Sequence, residues 1–165
     1  MISTRKWLIT LGAIVVGLLL LAMVVHAEEP YDITNCGSGT NAILYSSKEL
    51  TIISTDSKGI TLSNHDNKAF DNFTFHCSGI VRIAEGKLGY LTYCKFVGPE
   101  GDAVVGESTV EGDKEVWKFL IGTGKWKGIT GGGTHKAVTK GKPVAAGTSQ
   151  GCRRATGTYS LPKTQ

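Results

Sequence analysis

The clearest pattern in the chain is an alternation of apolar or small residues with polar ones between positions 73 and 83. The odd positions include Phe73, Phe75, Cys77 and Val81, whereas polar residues occupy most of the even positions. A period of two is typical of a β-strand with one buried face. The segment therefore predicts such a strand, and no segment beyond residue 27 shows a helical period.

The residues that follow predict a hairpin partner for this strand. A two-residue turn at Glu85-Gly86 makes Val81 face Tyr90 and places Cys77 opposite Cys94. A shift of one residue would move every side chain to the other face, so one register that aligns apolar faces and cysteines is informative. It predicts a Cys77–Cys94 disulfide, although Glu is an unfavourable residue for the positive φ of such a turn.

A second hairpin is predicted around Gly112-Asp113, where the glycine comes first as a type II′ turn requires. Its register gives three pairs on one face: Val104 with Ile121, Gly106 with Phe119, and Ser108 with Trp117. We expect the Phe119 ring to cover the backbone that Gly106 leaves bare.

Shorter segments predict further strands, mostly separated by Gly, Asn, Asp and Ser. They are residues 42–46, 50–55, 60–63, 134–139 and 154–161. Together these patterns predict an all-β domain over residues 28–165, a single antiparallel meander β-barrel of about eight strands. Closing the barrel would remove its exposed edges and bring the first strand to the last, which pairs Cys36 with Cys152.

The first 27 residues have the three parts of an export signal. Arg5 and Lys6 precede an uncharged, mostly apolar run over residues 7–25, and Val25-His26-Ala27 places small residues where cleavage would release Glu28. The length of the run also approaches the ~20 residues that span a bilayer, so an uncleaved N-terminal anchor is the alternative. Either interpretation predicts a periplasmic or secreted domain, with membrane contact only through residues 1–27 if they are uncleaved.

The composition of the chain limits which classes of binding partner are expected. The chain has 18 basic and 14 acidic residues, and two of the basic ones, Arg5 and Lys6, belong to the signal. The lysines are spread along the remaining chain, whereas nucleic-acid-binding proteins concentrate basic residues on one face, so nucleic acid is not an expected partner. An even number of cysteines in an exported chain favours disulfides, and zinc usually needs closely spaced pairs. We therefore expect two disulfides, no metal and no cofactor.

The most unusual segment is residues 122–133, of which six are glycine. A P-loop would need glycine at the position of Phe119 and Ser or Thr at that of Trp126, and a dinucleotide-binding loop would need glycine at that of Lys127. Neither phosphate-binding pattern is met. The segment predicts a tight, kinked connection between barrel strands, where glycine reaches backbone angles that other residues avoid.

This segment also carries a resemblance. Trp-Lys-Phe-Leu-Ile at 117–121, followed by Gly-Thr-Gly-Lys-Trp-Lys-Gly-Ile-Thr-Gly at 122–131, resembles the signature of allene oxide cyclase-like and dirigent-like, calycin-type β-barrels. Residues 76–79, 89–94 and 152–159 are similar to a group of uncharacterised exported bacterial proteins with this kind of barrel. The resemblance implies eight strands around a central cavity, which holds small apolar molecules or steers their cyclisation or coupling. The polar cavity residues of active members match no positions here, so no catalytic residue is carried over.

The predicted registers define the candidate lining of a cavity. Its members are Tyr90, Thr92, Ser108, Trp117 and Phe119 on the inner face, with Trp126 from the glycine-rich segment as a further candidate. Aromatic rings with a few hydroxyl groups are typical of small-molecule pockets. The histidines at 65, 76 and 135 are far apart in sequence, and His76 falls on the polar face of its strand, so they indicate no site.

Two functions fit these observations. The favoured one is a non-catalytic barrel that binds a small apolar molecule or serves as a structural module. The alternative is an enzyme of the allene oxide cyclase or dirigent type, whose cavity shapes a reactive intermediate. A buried carboxylate or histidine beside Tyr90 and Trp117 would favour the enzyme, and an interior filled by side chains would favour the structural module.

Overall fold

The barrel consists of eight strands that follow one another around a closed sheet. The computed structural model describes residues 27–111 and 113–163. The strands are β1 (Glu29–Ser46), β2 (Leu50–Ser63), β3 (Thr74–Ala84), β4 (Lys87–Val97), β5 (Ala103–Glu111), β6 (Lys114–Gly122), β7 (Thr130–Lys140) and β8 (Thr148–Ser160). All neighbours are antiparallel and β1 pairs with β8, which confirms the predicted closed meander. The predicted signal or anchor lies, apart from Ala27, outside the described residues.

The β3–β4 hairpin has the predicted register throughout. Val81 pairs with Tyr90 and Cys77 with Cys94. Glu85 and Gly86 have φ angles of 51° and 76°, so the turn has two successive left-handed residues, as a type I′ turn requires. The hairpin therefore forms with the register that aligns its apolar side chains and cysteines, although Glu85 must adopt an unfavourable positive φ.

The β5–β6 hairpin corrects one predicted pair. Gly106 pairs with Phe119 and Ser108 with Trp117 as expected, but Val104 pairs with Gly122 and not with Ile121. Leu120 is an extra residue on β6, so the register shifts by one beyond it. The ring over Gly106 is that of Trp117 and not that of Phe119, and Gly112 of the predicted turn lies outside the described residues.

Several strands are longer than predicted. The predicted strands 50–55 and 60–63 are one continuous strand, β2, and β1 begins at Glu29 although only residues 42–46 were expected. Gly59 lies between Gly37 of β1 and Phe75 of β3, and both neighbouring strands pair with it. A Cβ atom on Gly59 would meet the Phe75 ring at 2.7 Å, so a glycine that looks like a strand break allows the close approach of three strands.

Aromatic side chains close one end of the barrel. Phe70, from the loop between β2 and β3, stacks on Trp126 with ring centroids 4.6 Å apart and packs edge-on against Tyr31. Phe73, Phe119 and Tyr159 complete this aromatic base. Phe70 has a φ of 61°, a conformation that costs a bulky residue on the order of 1–2 kcal/mol. Burial of its ring offsets that cost.

Both predicted disulfides are present. Cys77–Cys94 joins β3 to β4, and Cys36–Cys152 joins β1 to β8. Cys94 is buried on the inner face, whereas Cys36 follows the inward-pointing Asn35 and therefore belongs to the outer face. The Cys77–Cys94 bond thus lies on the inner face of the barrel, and the Cys36–Cys152 bond joins the two strands whose pairing closes the barrel.

Packing around Gly106 leads to a stability prediction. A Cβ atom at this position would collide with the Trp117 ring and the Lys118 carbonyl, so Gly106→Ala should destabilise the fold by about 1–3 kcal/mol. Gly89→Ala is the matched control, because a Cβ atom there meets nothing within 4 Å. Urea denaturation measures both variants. Equal stability of the two would contradict the packing of Trp117 over Gly106.

Candidate functional site

The barrel encloses an open cavity beyond its aromatic base. The cavity has a volume of about 500 Å³, within the range of small-molecule pockets. Apolar side chains from strands β3 to β6 form much of its wall: Phe75, Val81, Phe96, Val104, Trp117 and Phe119, together with the Cys77–Cys94 disulfide. The interior is therefore not filled by the barrel's own side chains.

The structure brings five of the six candidate lining residues to this cavity. They are Tyr90 and Thr92 on β4, Ser108 on β5, and Trp117 and Phe119 on β6. Trp126 is not in the wall. It lies in a short 3-10 turn and packs in the aromatic base against Phe70, Phe73 and Tyr159.

A polar cluster that the sequence analysis missed lies in the wall beside Tyr90. His135 of β7 contacts the Tyr90 hydroxyl through Nε2 at 3.1 Å and also forms a short contact with Ser108 Oγ. On the other side of the imidazole ring, Arg153 Nε donates to Nδ1 at 3.1 Å. Glu115 forms an ion pair with Arg153 and lies 3.4 Å from the same Nδ1. Four strands besides β7 thus contribute to the surroundings of one histidine.

Burial sets the protonation of this cluster. The His135 side chain is only 13% exposed, and burial lowers the pKa of His135 to about 4, since a charged imidazolium loses solvation there. Burial also raises the pKa of Tyr90. At neutral pH the cavity wall therefore presents an uncharged imidazole and an uncharged phenol, beside an Arg153–Glu115 pair whose charges cancel.

A weak signal for His135 was present in the sequence. Within residues 134–139, His135, Ala137 and Thr139 alternate with Thr134, Lys136 and Val138, which places them on one face. Neither face is clearly apolar, so the pattern did not show which one points inward. The contacts of His135 lie 18 to 45 residues away along the chain, and only the closed barrel brings them together.

The second histidine cluster lies outside the barrel. His76 and Ser78 both contact Asp56 Oδ2, at 2.5 Å and 2.7 Å, and His76 is about half exposed, as expected for a polar-face residue. The serine hydroxyl donates to the carboxylate and lies 3.4 Å from the imidazole. A serine nucleophile needs its hydroxyl bonded to the imidazole and the carboxylate on the other ring nitrogen, so this cluster does not have the catalytic arrangement.

The glycine-rich segment forms a turn and not a phosphate loop. Residues Gly124–Trp126 make one turn of 3-10 helix between β6 and β7. The Lys125 amide donates to the Asp102 carboxylate at 3.1 Å, and the Lys125 ammonium lies 3.3 Å from Glu100. Carboxylates thus occupy the surroundings in which a phosphate group would need positive charge.

Neither a metal centre nor a membrane-spanning helix is found among the described residues. Within the described ranges, no three His, Cys, Asp or Glu side chains converge to hold a metal ion. The same residues include no helix that is long and apolar enough to cross a membrane.

Comparison with known proteins gives a likeness of shape. No protein-family model matches the chain, and no curated protein matches it. A solved structure of the pterocarpan synthase dirigent protein GePTS1 is similar, with a TM-score of 0.47 and 11% sequence identity, over 82% of this chain and 90% of that one.

The buried imidazole predicts a loss of stability in acid. The pKa of His135 rises from about 4 in the folded protein to an ordinary value near 6.5 on unfolding, so between these pH values the unfolded chain binds the extra proton. The free energy of unfolding should therefore fall as pH drops from about 6.5 to 4, by on the order of 3 kcal/mol.

Urea denaturation at pH 7 and pH 4.5 measures this effect, with His135→Gln as the non-titrating comparison. The Arg154 guanidinium lowers the pKa of Asp32 to about 2, so loss of that interaction falls at lower pH and does not interfere. The same loss of stability in wild type and His135→Gln would show that His135 is not the group responsible.

Proposed function

We propose that this barrel binds a small, mainly apolar molecule in its cavity. The observation that carries the proposal is the unfilled interior of about 500 Å³, lined largely by aromatic and aliphatic side chains. A cavity of this kind gains free energy when an apolar molecule replaces the water inside it. Polar side chains also line the cavity, and the hydrogen-bonded cluster around His135 is the group that would orient such a molecule.

The mouth of the cavity supports the same proposal. On the β1–β4 side, the inner face continues from Val81 of the cavity wall as an apolar surface made of Ile43, Ile53, Ile83 and Leu88. Ile43 is 69% exposed and Leu88 is 50% exposed. Adjacent exposed apolar side chains on a small domain often mark a ligand-binding or interaction surface, and here they lie on the path into the cavity.

A cavity-blocking variant tests the proposal. Thr92 points into the cavity, so Thr92→Phe should weaken binding of the neutral fluorophore N-phenyl-1-naphthylamine by about tenfold, since the added ring occupies space the ligand needs. Thr156→Phe, on the exposed outer face of β8, is the control and should bind as the wild type does. Dye emission and quenching of tryptophan fluorescence report binding. No binding to the wild type, or equal weakening in both variants, would contradict a cavity ligand.

The buried histidine favours a second candidate, an enzyme that steers the cyclisation or coupling of a small apolar substrate. His135 is buried and lies beside Tyr90, an arrangement that favours the enzyme alternative, and an uncharged imidazole that contacts two hydroxyl groups can pass a proton through them. Chromatography and mass spectrometry of the compound recovered from the protein distinguish the candidates. If the apolar compound added to the protein is recovered unaltered, the protein is a binding protein. If the wild type converts that compound to an isomer and His135→Gln does not, the protein is an enzyme.

We further propose that the protein is exported to the periplasm or secreted. The pattern of residues 1–27 supports export, and the two disulfides are compatible with an oxidising compartment. The mass of the exported protein should correspond to a chain that begins at Glu28, with both disulfides formed. A mass that retains residues 1–27 would establish the N-terminal anchor instead.

A further inference from the structure

The hydrogen bonds around His135 determine which of its two nitrogens carries the proton. An arginine Nε is always protonated and can only donate. Arg153 Nε donates to His135 Nδ1 at 3.1 Å, whereas the Glu115 carboxylate lies farther away at 3.4 Å and is paired with Arg153. Nδ1 therefore offers its lone pair to Arg153. Because the low pKa of His135 leaves a single proton on the ring at neutral pH, that proton is on Nε2.

The remaining protons can then be counted. Nε2, Ser108 Oγ and Tyr90 Oη lie within hydrogen-bond distance of one another and carry one proton each. Nε2 has no free lone pair, so neither hydroxyl can donate to it. The Nε2 proton is donated towards these hydroxyl oxygens. The Ser108 proton is used between the two hydroxyls, where Ser108 Oγ donates to Tyr90 Oη at 3.3 Å. One donor is left without an acceptor inside the cluster, the Tyr90 O–H.

The position of Tyr90 directs this remaining donor into the cavity. Ser108 is buried at 4% exposure, whereas Tyr90 is partly exposed and lines the cavity. The raised pKa of Tyr90 keeps its hydroxyl protonated near neutral pH. Since Arg153 and Glu115 form an ion pair and the imidazole is uncharged, the cluster supplies a donor but no net charge to a ligand.

We propose that the cavity is selective for neutral, apolar molecules that carry a hydrogen-bond acceptor oxygen, such as the carbonyl of a ketone or an ester, which accepts from Tyr90 Oη. This selectivity rests on the binding function proposed above. A hydrocarbon would leave the Tyr90 proton without a partner, and an unpaired buried donor costs free energy. A carboxylate placed against this cluster would lose its solvation without meeting a net positive charge there, since Lys140, the other cationic residue of the lining, is exposed to solvent.

Three naphthalene compounds of similar shape test the proposal by calorimetry at pH 7. They are 2-acetylnaphthalene, a ketone; 2-isopropenylnaphthalene, in which CH₂ replaces the carbonyl oxygen; and 2-naphthoate, an anion. Tyr90→Phe removes the donor with little change of shape, and should weaken ketone binding about tenfold more than hydrocarbon binding. Tyr93→Phe, on the outer face of the same strand, should leave this ratio unchanged. The carbonyl stretch of the bound ketone should move to lower wavenumber in wild type and not in Tyr90→Phe.

The possible results separate this proposal from the binding function. If the ketone and the hydrocarbon bind and Tyr90→Phe weakens both equally, the selectivity is wrong and the binding function stands. Tighter binding of 2-naphthoate than of the ketone would also overturn the selectivity, since it would make a cationic side chain of the lining, Arg153 or Lys140, the recognition group. If none of the three compounds binds, the proposed binding function falls and the selectivity falls with it.

Discussion

The pairing of β1 with β8 is the constraint on which the cavity and its polar cluster depend. Twelve residues of β1 are in register with β8 along the closure. Without this pairing the two strands would be free edges of an open sheet, and the space between the walls would be a groove accessible to water. Arg153 of β8 and Tyr90 of β4 contact the same imidazole from different parts of the wall, so the surroundings of His135 also require a closed ring.

The interior divides into two parts with different physical tasks. At the base, rings such as Phe70 and Trp126 pack edge-on and stacked, which contributes dispersion and hydrophobic stabilisation. The loop that carries Phe70 has three non-glycine residues with positive φ, Lys68, Phe70 and Asn72, and this strain is tolerated because the ring is buried. Beyond the base, the barrel leaves space, and one part of its wall holds the hydrogen-bonded cluster around His135. Concentrating the packing at one end allows a small domain to keep an unfilled interior.

The sequence predicted those parts of the fold in which several local signals agree. In the β3–β4 hairpin, alternation, turn spacing and Cys77 opposite Cys94 specify a single register, and the structure has that register. Residues 31–41 resemble a loop because most of them are polar or glycine, yet they form more than half of β1 because strands on both sides supply hydrogen-bond partners. The bulge at Leu120 lies four residues before the turn that begins at Gly124, and no local pattern in the sequence marks it.

The candidate site was predictable to a similar extent. Hairpin registers placed Tyr90, Ser108 and Trp117 on one face, and these side chains do line the cavity. His135 was missed because its strand has no dominant apolar face. Its partners reach it only through pairings that span the whole domain, such as that of β7 with β8. Such contacts are made by strand pairing between distant parts of the chain, so the sequence pattern of any short segment does not predict them.

The two disulfides also give the protein a built-in order of oxidative folding. Cys77 and Cys94 are separated by 17 residues and Cys36 and Cys152 by 116. In an unstructured chain, contact frequency falls as about the three-halves power of loop length, so the longer pair meets on the order of twentyfold less often. A single hairpin brings the inner pair together, whereas the outer pair needs β1 and β8 in contact. Partly oxidised molecules should therefore hold the inner bond first, and free thiols at Cys36 and Cys152 would identify chains whose ring has not yet closed.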